Sequence, residues 1–115
     1  MLVSEASIRD LRVSDCRADL TAFNGSSFQD VVFERCQLMQ ASFEDALLRG
    51  VALIDCDLSG ADFRRTRFER CQMRGCTLEG ASGLTGLRGV AMAIDDMVAN
   101  AVAFAAALGV TLLDE

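Results

Sequence analysis

The five cysteines carry the most reactive chemistry in this sequence, because thiolates bind metal ions and form disulfides. Cys16, Cys36, Cys56 and Cys76 recur every twenty residues, and Cys71 lies five residues before the last of them. A zinc site needs ligands that converge tetrahedrally, usually from CxxC pairs or histidines, and the sequence contains neither. A constant spacing of twenty instead predicts side chains that point inward in parallel. The cysteines are therefore predicted to be small buried thiols that pack as apolar residues.

The charged residues offer a second kind of chemistry, general acid–base catalysis. The chain has 17 acidic and 11 basic residues, all arginine, and no histidine. It therefore lacks a histidine base and a Schiff-base lysine, and it has no serine or cysteine with a basic partner and no phosphate-binding glycine loop. We predict that the protein is not an enzyme and uses no cofactor. Opposite charges recur twenty residues apart, as Asp15–Arg35, Arg35–Asp55, Glu44–Arg64, Asp45–Arg65 and Arg49–Glu69.

A five-residue repeat positions these side chains, and it runs through residues 1–80. The central residue of each of sixteen blocks is apolar: Val3, Ile8, Val13, Ala18, Phe23, Phe28, Phe33, Leu38, Phe43, Leu48, Leu53, Leu58, Phe63, Phe68, Met73 and Leu78. Neither the helical period nor the strand period keeps such residues on one face. The chain must turn once per block, and four turns close a coil. The sequence predicts an all-β solenoid of about four stacked coils.

The coil length of twenty residues predicts which side chains lie above one another. Phe23, Phe43 and Phe63 fall at the same position in successive coils, as do four of the cysteines. These three rings are predicted to form an internal core column. The opposite charges at the same offset are predicted to form a lattice of ion pairs on the outside.

The blocks CDLSG, ADFRR, TAFNG and CTLEG share the order small, polar, Leu or Phe, polar, then polar or Gly. This pattern resembles the pentapeptide-repeat family, and the resemblance covers residues 1–80. It implies a right-handed quadrilateral β-helix. Family members often end in a helix that caps the coil and pairs two subunits, and the segment after Gly80 looks like the tail of many bacterial members.

The segment 81–115 is predicted to be the capping and dimerisation region of a single domain. A helix is expected at about 94–108, with Asp95 and Asp96 in its first turn and Gly109 just beyond its end. The apolar stretch from Val90 to Leu108 is long enough to span a membrane, but the paired aspartates and the alanine run argue against a span. The apolar positions span more than one face, which favours a two-fold homodimer over a monomer whose tail wraps the coil end. The candidate dimer-interface residues are Ile94, Met97, Val98, Val102, Phe104 and Leu108.

The N-terminal end of the chain leaves two alternatives open. Coil one is the weakest copy of the repeat, and an open strand edge there would invite pairing with another chain. Leu2 and Leu11 are either a modest cap or the remnant of contacts with a longer N-terminal segment. The first ten residues lack the basic and apolar regions of a secretory signal, so a cytoplasmic location is expected.

The sequence is compatible with two functions. The family resemblance implies one, because some members are acidic dimers that resemble duplex DNA and bind DNA gyrase. The net charge of −6 suits such a mimic, and its candidate acidic surface is Glu44, Asp45 and Asp62. Residues 1–80, however, carry thirteen acids against ten arginines, a net charge of only −3, whereas duplex DNA has about one charge per 1.7 Å.

The favoured interpretation is a structural or protein-interaction module with no direct contact to nucleic acid and no membrane. Outward apolar residues offer a candidate contact patch for a protein partner: Leu20, Met39, Val32, Ala52 and Ile54. Five arginines crowd the last coil without interleaved aromatic residues: Arg64, Arg65, Arg67, Arg70 and Arg74. This is a weak pattern for nucleic-acid binding.

Overall fold

A left-handed corner residue at every fifth position makes the chain turn. The computed structural model describes residues 5–113, so the positions of Leu2 and Val3 lie outside it. The last residue of each of the sixteen blocks, from Glu5 to Gly80, has a positive φ. Five of these corners are glycine and five are aspartate, the residue types that tolerate this conformation best. The five-residue repeat is therefore a repeat of four residues per wall and one per corner.

The corners arrange the walls into a β-solenoid of about four coils, as predicted. The strands are β1 (Ser7–Ser14), β2 (Ser27–Glu34), β3 (Leu47–Arg49), β4 (Ala52–Ile54), β5 (Arg67–Glu69), β6 (Cys71–Arg74) and β7 (Val90–Met92). They pair in parallel, and from β1 to β6 every partner is twenty residues away. Isolated bridges such as Arg17↔Gln37 and Ala22↔Ser42 join the other two walls at the same offset.

The interior of the solenoid is filled by the central and first residues of the blocks. Phe23, Phe43 and Phe63 stack in one column, with ring centroids 5.1 Å and 5.4 Å apart and planes within 18° of parallel. From coil two onward the central residues are buried, whereas Ile8 and Val13 of coil one are only partly so. The difference arises because coil one has a neighbour on one side only.

The sheet continues past the boundary predicted at Gly80. A 3₁₀ turn at Leu84–Gly86 leads into β7, which pairs with β6 at an offset of nineteen residues. The shorter path brings the chain across the coil end, and glycine is required at two points. A Cβ on Gly83 would lie 2.5 Å from the carbonyl carbon of Phe63, and a Cβ on Gly89 would clash with the carbonyl oxygen of Phe68.

The region predicted as one helix at about 94–108 is helical, and it is divided into two helices. They are α1 (Ile94–Ala99) and α2 (Ala101–Leu108), and Asn100 between them has φ −106° and ψ 19°. The backbone departs from helical geometry there because the Asn100 side chain bonds into the end of the solenoid. Within residues 5–113, no helix has the length and hydrophobicity needed to span a membrane.

Candidate protein-interaction surface

The cysteine side chains lie inside the solenoid, and all five are free. The thiols of Cys56, Cys71 and Cys76 donate to backbone carbonyl oxygens at 3.2–3.4 Å. Burial raises the pKa of Cys36 and of Cys71, so these thiols are held in their unreactive protonated form. Over residues 5–113, no three metal-ligating side chains come together.

The predicted ion-pair lattice forms on the outer walls at four of its five positions. The pairs are Arg35–Asp15, Arg49–Glu69, Arg64–Glu44 and Arg65–Asp45, with N···O distances of 2.7–3.0 Å. In place of the fifth pair, with Asp55, the Arg35 guanidinium also contacts Glu34 at 3.2 Å. Exposed ion pairs contribute little to stability because water screens them, so the lattice mainly sets the surface charge and the register.

Each carboxylate of the candidate acidic surface has an arginine partner. Asp62 contacts Arg64 at 2.7 Å, and Glu44 lies between Arg64 and Arg65 at 3.0 Å and 3.1 Å. The third carboxylate, Asp45, is paired with Arg65. The hydrogen bond from Arg64 lowers the pKa of Asp62 below its usual value. Asp62 is therefore held in its ionised form, and the charge of all three acids is locally neutralised by the arginines.

The outward apolar residues on the walls do not form one exposed patch. Leu20 and Met39 are exposed, whereas Val32, Ala52 and Ile54 are only half-exposed. Scattered apolar residues of this kind are normal on protein surfaces. They give a partner little area to bind.

The C-terminal helices carry the large exposed apolar surface of this protein. Five of the six predicted interface residues are exposed: Ile94, Met97, Val98, Val102 and Leu108. The exposed surface continues along the chain through Val110, Leu112 and Leu113. Phe104 differs from the rest, because it is partly buried and packs against the solenoid core with Ala103 and Ala107. We name the five exposed helical residues the outer helix face.

Asn100 anchors the helices, and the sequence interpretation missed it. The residue is 7% exposed, and its Oδ1 accepts a hydrogen bond from the amide of Leu78 at 2.9 Å. Its Nδ2 donates to the carbonyl oxygens of Cys76 and Asp96, both at 3.0 Å. The sequence contains one indication of this role, because Asn100 is the only polar residue between Met97 and Leu108. A lone amide inside an apolar stripe needs buried partners.

The Asn100 carboxamide takes the place of a peptide group. One coil earlier, Leu58 donates its amide hydrogen to the carbonyl of Thr77, and the Thr77 amide donates to the carbonyl of Cys56. In the last coil the Asn100 side chain makes both corresponding bonds. The Asp96 carboxylate, one helical turn before it, accepts from the Gly75 amide at 3.2 Å. The helices thus close the strand edge with side chains, which leaves their opposite side facing outward.

A filled four-sided solenoid with an apolar helical end defines a non-globular repeat protein. The chain belongs to the pentapeptide-repeat family, whose model, described as "Pentapeptide repeat region", matches residues 2–63, more than half of the chain. No curated protein sequence matches it.

Solved structures show the same fold. One is HetL, a pentapeptide repeat protein involved in heterocyst differentiation regulation from the cyanobacterium Nostoc sp. strain PCC 7120. It has a TM-score of 0.56 and 22% identity, with 79% of this chain and 46% of HetL covered. The chain thus spans less than half of the length of HetL, and this likeness concerns the fold alone.

Another is a pentapeptide repeat protein from the Arabidopsis thaliana thylakoid lumen, with a TM-score of 0.52 and 28% identity over 77% of this chain and 73% of that one. A trypsin-treated form of QnrB1, a plasmid-mediated fluoroquinolone resistance protein, has a TM-score of 0.44 and 21% identity. That match covers 70% of this chain and 51% of that one.

Proposed function

We propose that this protein is a non-enzymatic structural and protein-interaction module that works as a homodimer joined through its outer helix face. The observation that carries the proposal is the contrast in exposure. The central residues of coils two to four are buried, whereas Val98, Val102 and Leu108 are each about 70% exposed. Pentapeptide-repeat proteins are generally structural or interaction modules, which agrees with this assignment.

The inner side of the helices is already used, so the outer face is free for a partner. Phe104 lies against the core, and Asn100 holds the coil end. Val98 lies in α1 and Val102 in α2, on either side of the break at Asn100, and both are exposed. Large apolar residues left exposed together at one end of a protein are typical of a protein contact.

A second copy of the chain is the partner that this face fits best. The five residues of the outer helix face are apolar, and an identical copy offers the same apolar residues to cover them. A two-fold contact buries the same residues on both subunits. Free and buried cysteines throughout the chain suit a reducing compartment, and the proposal accordingly places the dimer in the cytoplasm.

Sedimentation equilibrium on the full chain tests the dimer. We expect the wild type to sediment at twice its 12.4 kDa mass. The double variant Val98→Asp, Val102→Asp should sediment as a monomer with an unchanged circular dichroism spectrum. The matched control is Leu20→Asp with Met39→Asp, which adds the same charge at exposed apolar positions on the solenoid walls and should leave the dimer intact. A wild type that stays monomeric at high micromolar concentration contradicts the proposal.

The alternative proposal is a DNA mimic that binds DNA gyrase, and its support is the net charge of −6. The pairing of Glu44, Asp45 and Asp62 with arginines weakens it, because paired carboxylates present little field. A gyrase supercoiling assay separates the two proposals. Inhibition that is lost on reversing these three acids to lysine would support mimicry, and the absence of any effect would leave the interaction module.

A further inference from the structure

A cleft of about 500 Å³ lies between β5 and the segment that leads from the 3₁₀ turn to β7. Its lining residues are Thr66, Arg67, Phe68, Glu69, Thr85, Gly86 and Arg88. The strand edge beside it is occupied, because the Gly89 backbone packs against the Phe68 carbonyl and Leu87 packs on the core. A ligand in this cleft therefore meets side chains and not a row of unpaired peptide groups.

The cleft collects arginines that have no partner within the protein. Of the eleven arginines, six form ion pairs, and Arg9 and Arg74 each bond to a glutamine. The other three are Arg67, Arg70 and Arg88, whose exposed guanidinium groups make no hydrogen bond or ion pair with the part of the chain that the structure describes. Two of them line the cleft, and Arg70 is the corner at the end of the same wall.

The fold holds both lining arginines on a fixed backbone. Arg67 lies in β5 and is flanked by two buried residues. Arg88 is fixed on both sides, by Leu87 on the core and by Gly89 against β5. The cap thus brings two like charges to one cleft, where they repel each other. An anion bound between them removes that repulsion.

The charge of this region is opposite to that of the protein as a whole. Residues 64–88 contain six arginines and two glutamates, whereas the whole chain has a net charge of −6. The one carboxylate that lines the cleft, Glu69, is held by Arg49 at 2.8 Å. Within residues 5–113, Arg67 and Arg88 therefore present two positive charges to the cleft without a counter-charge.

We propose that this cleft binds a phosphate monoester, with Arg67 and Arg88 holding the phosphate group. Such a group carries a charge of about −1.5 to −2 at pH 7 and three acceptor oxygens. It therefore matches two guanidinium groups, each of which offers paired donors, whereas a carboxylate carries a single charge and satisfies one. Thr85 adds an exposed hydroxyl to the lining. This site is separate from the outer helix face, so the inference goes beyond the proposed dimer.

A nucleic-acid backbone fits the cleft less well. Each of its phosphates carries only one charge, and an extended strand would also meet the acidic coils, because residues 5–63 contain eleven acids and five arginines. Phe68 is buried and unable to stack on a base. The cleft instead suits one phosphate group, carried by a small molecule or by a side chain of a partner protein.

Isothermal titration calorimetry of the full chain with O-phosphoserine tests the site. We expect saturable binding with a dissociation constant below about 1 mM at low salt, from two charge-assisted pairs. Arg67→Gln with Arg88→Gln should weaken binding by about tenfold or more. The matched control, Arg9→Gln with Arg74→Gln, removes the same charge from two exposed arginines that also lack ion pairs. It should change the affinity by less than about twofold, because those residues lie outside the cleft.

A glycine pentapeptide with a central phosphoserine distinguishes the two sources of the phosphate group. Tighter binding of this peptide than of O-phosphoserine assigns the site to a phosphorylated partner protein. Equal affinity assigns it to a small phosphorylated molecule. The same peptide with glutamate in place of phosphoserine should bind at least about tenfold more weakly, because it offers one charge in place of two.

NMR chemical shifts of the backbone amides locate the bound phosphate group. Shifts on adding O-phosphoserine should be confined to residues 66–70 and 85–88 and should leave α1 and α2 unchanged. The variant Val98→Asp, Val102→Asp should bind as the wild type does, so that failure of the dimer and failure of this site are distinguishable. The absence of saturable binding at millimolar O-phosphoserine, equal weakening by both arginine pairs, equal binding of the glutamate peptide, or tighter binding of a DNA oligonucleotide at the same residues would each overturn the proposal.

Discussion

The repeat body and the C-terminal cap satisfy the same physical demands in different ways. In the body, each coil supplies hydrogen-bond partners and apolar contacts to the next at a constant offset of twenty residues. In the cap, the same edge is completed by single groups, namely the Asn100 carboxamide, the Asp96 carboxylate and the short strand β7. A repeated interaction is distributed over many residues, whereas the cap depends on a few.

The body and the cap also differ in how much apolar surface they expose. The body buries its apolar side chains and exposes paired charges, so its walls offer little apolar surface for association. The cap buries one side of its helices and exposes the other. The device that closes the solenoid edge therefore also carries the exposed apolar residues on which the proposed dimer rests.

The largest change in the free energy of unfolding is expected for a substitution in the middle of the body. Phe43 is fully buried between Phe23 and Phe63, so Phe43→Ala should lower the free energy of unfolding by about 3–5 kcal/mol through lost burial and an unfilled cavity. Denaturant titration measures the change. Phe104→Ala in the cap removes a half-buried ring and should cost less than half as much. A loss below about 1 kcal/mol for Phe43→Ala would contradict the stacked column.

The next largest loss of stability is expected for Asn100→Ala, which tests whether the cap depends on one side chain. The change leaves the Leu78 amide and the Cys76 carbonyl without partners, at a cost of about 2–4 kcal/mol. Intrinsic helix propensity acts in the opposite direction, since alanine is the better helix former. Denaturant titration gives the loss, and hydrogen exchange should show faster exchange at the Leu78 amide. An unchanged or increased stability would mean that the carboxamide does not close the edge.

A smaller, stabilising effect is expected at a corner of the weak first coil. Leu20 has φ 63° and is 66% exposed, so a leucine holds a left-handed conformation without a compensating burial. Leu20→Gly should raise the free energy of unfolding by about 0.5–1 kcal/mol through relief of this strain. The control is Leu11→Gly, an exposed leucine within β1, which should destabilise the protein. A rise in the thermal midpoint of both variants would show that the stabilisation does not come from the corner conformation of Leu20.

The smallest effect concerns the ion-pair lattice and its pH dependence. Arg64 lowers the pKa of Asp62, so this pair stabilises the fold at pH values above about 3.9, the unfolded value, and the contribution is lost as the pH falls through the lower folded value. Asp62→Asn should flatten the decline in stability below about pH 4. Arg64→Gln should flatten it similarly, and the double variant should add little. A steeper decline in either single variant would contradict this assignment.

Much of the body could be predicted from sequence because its signal is repeated. The sixteen apolar block centres, the column of Phe23, Phe43 and Phe63 and the ion pairs twenty residues apart all follow from one period. Each repetition is a separate observation of the same geometry. The weaker repeat pattern in the first coil therefore does not obscure the coil length of twenty residues.

The cap could be predicted only in outline, because each of its interactions occurs once. Its apolar, helix-forming composition was evident from the sequence, but the break at Asn100, the nineteen-residue offset of β7 and the inward side of Phe104 were not. Helical periodicity leaves the rotation of a helix about its axis undetermined when apolar residues occupy several faces. The tertiary structure decides it, because the Cys76 carbonyl and the Leu78 amide at the end of the last coil need partners, and only the orientation that brings Asn100 to them satisfies both.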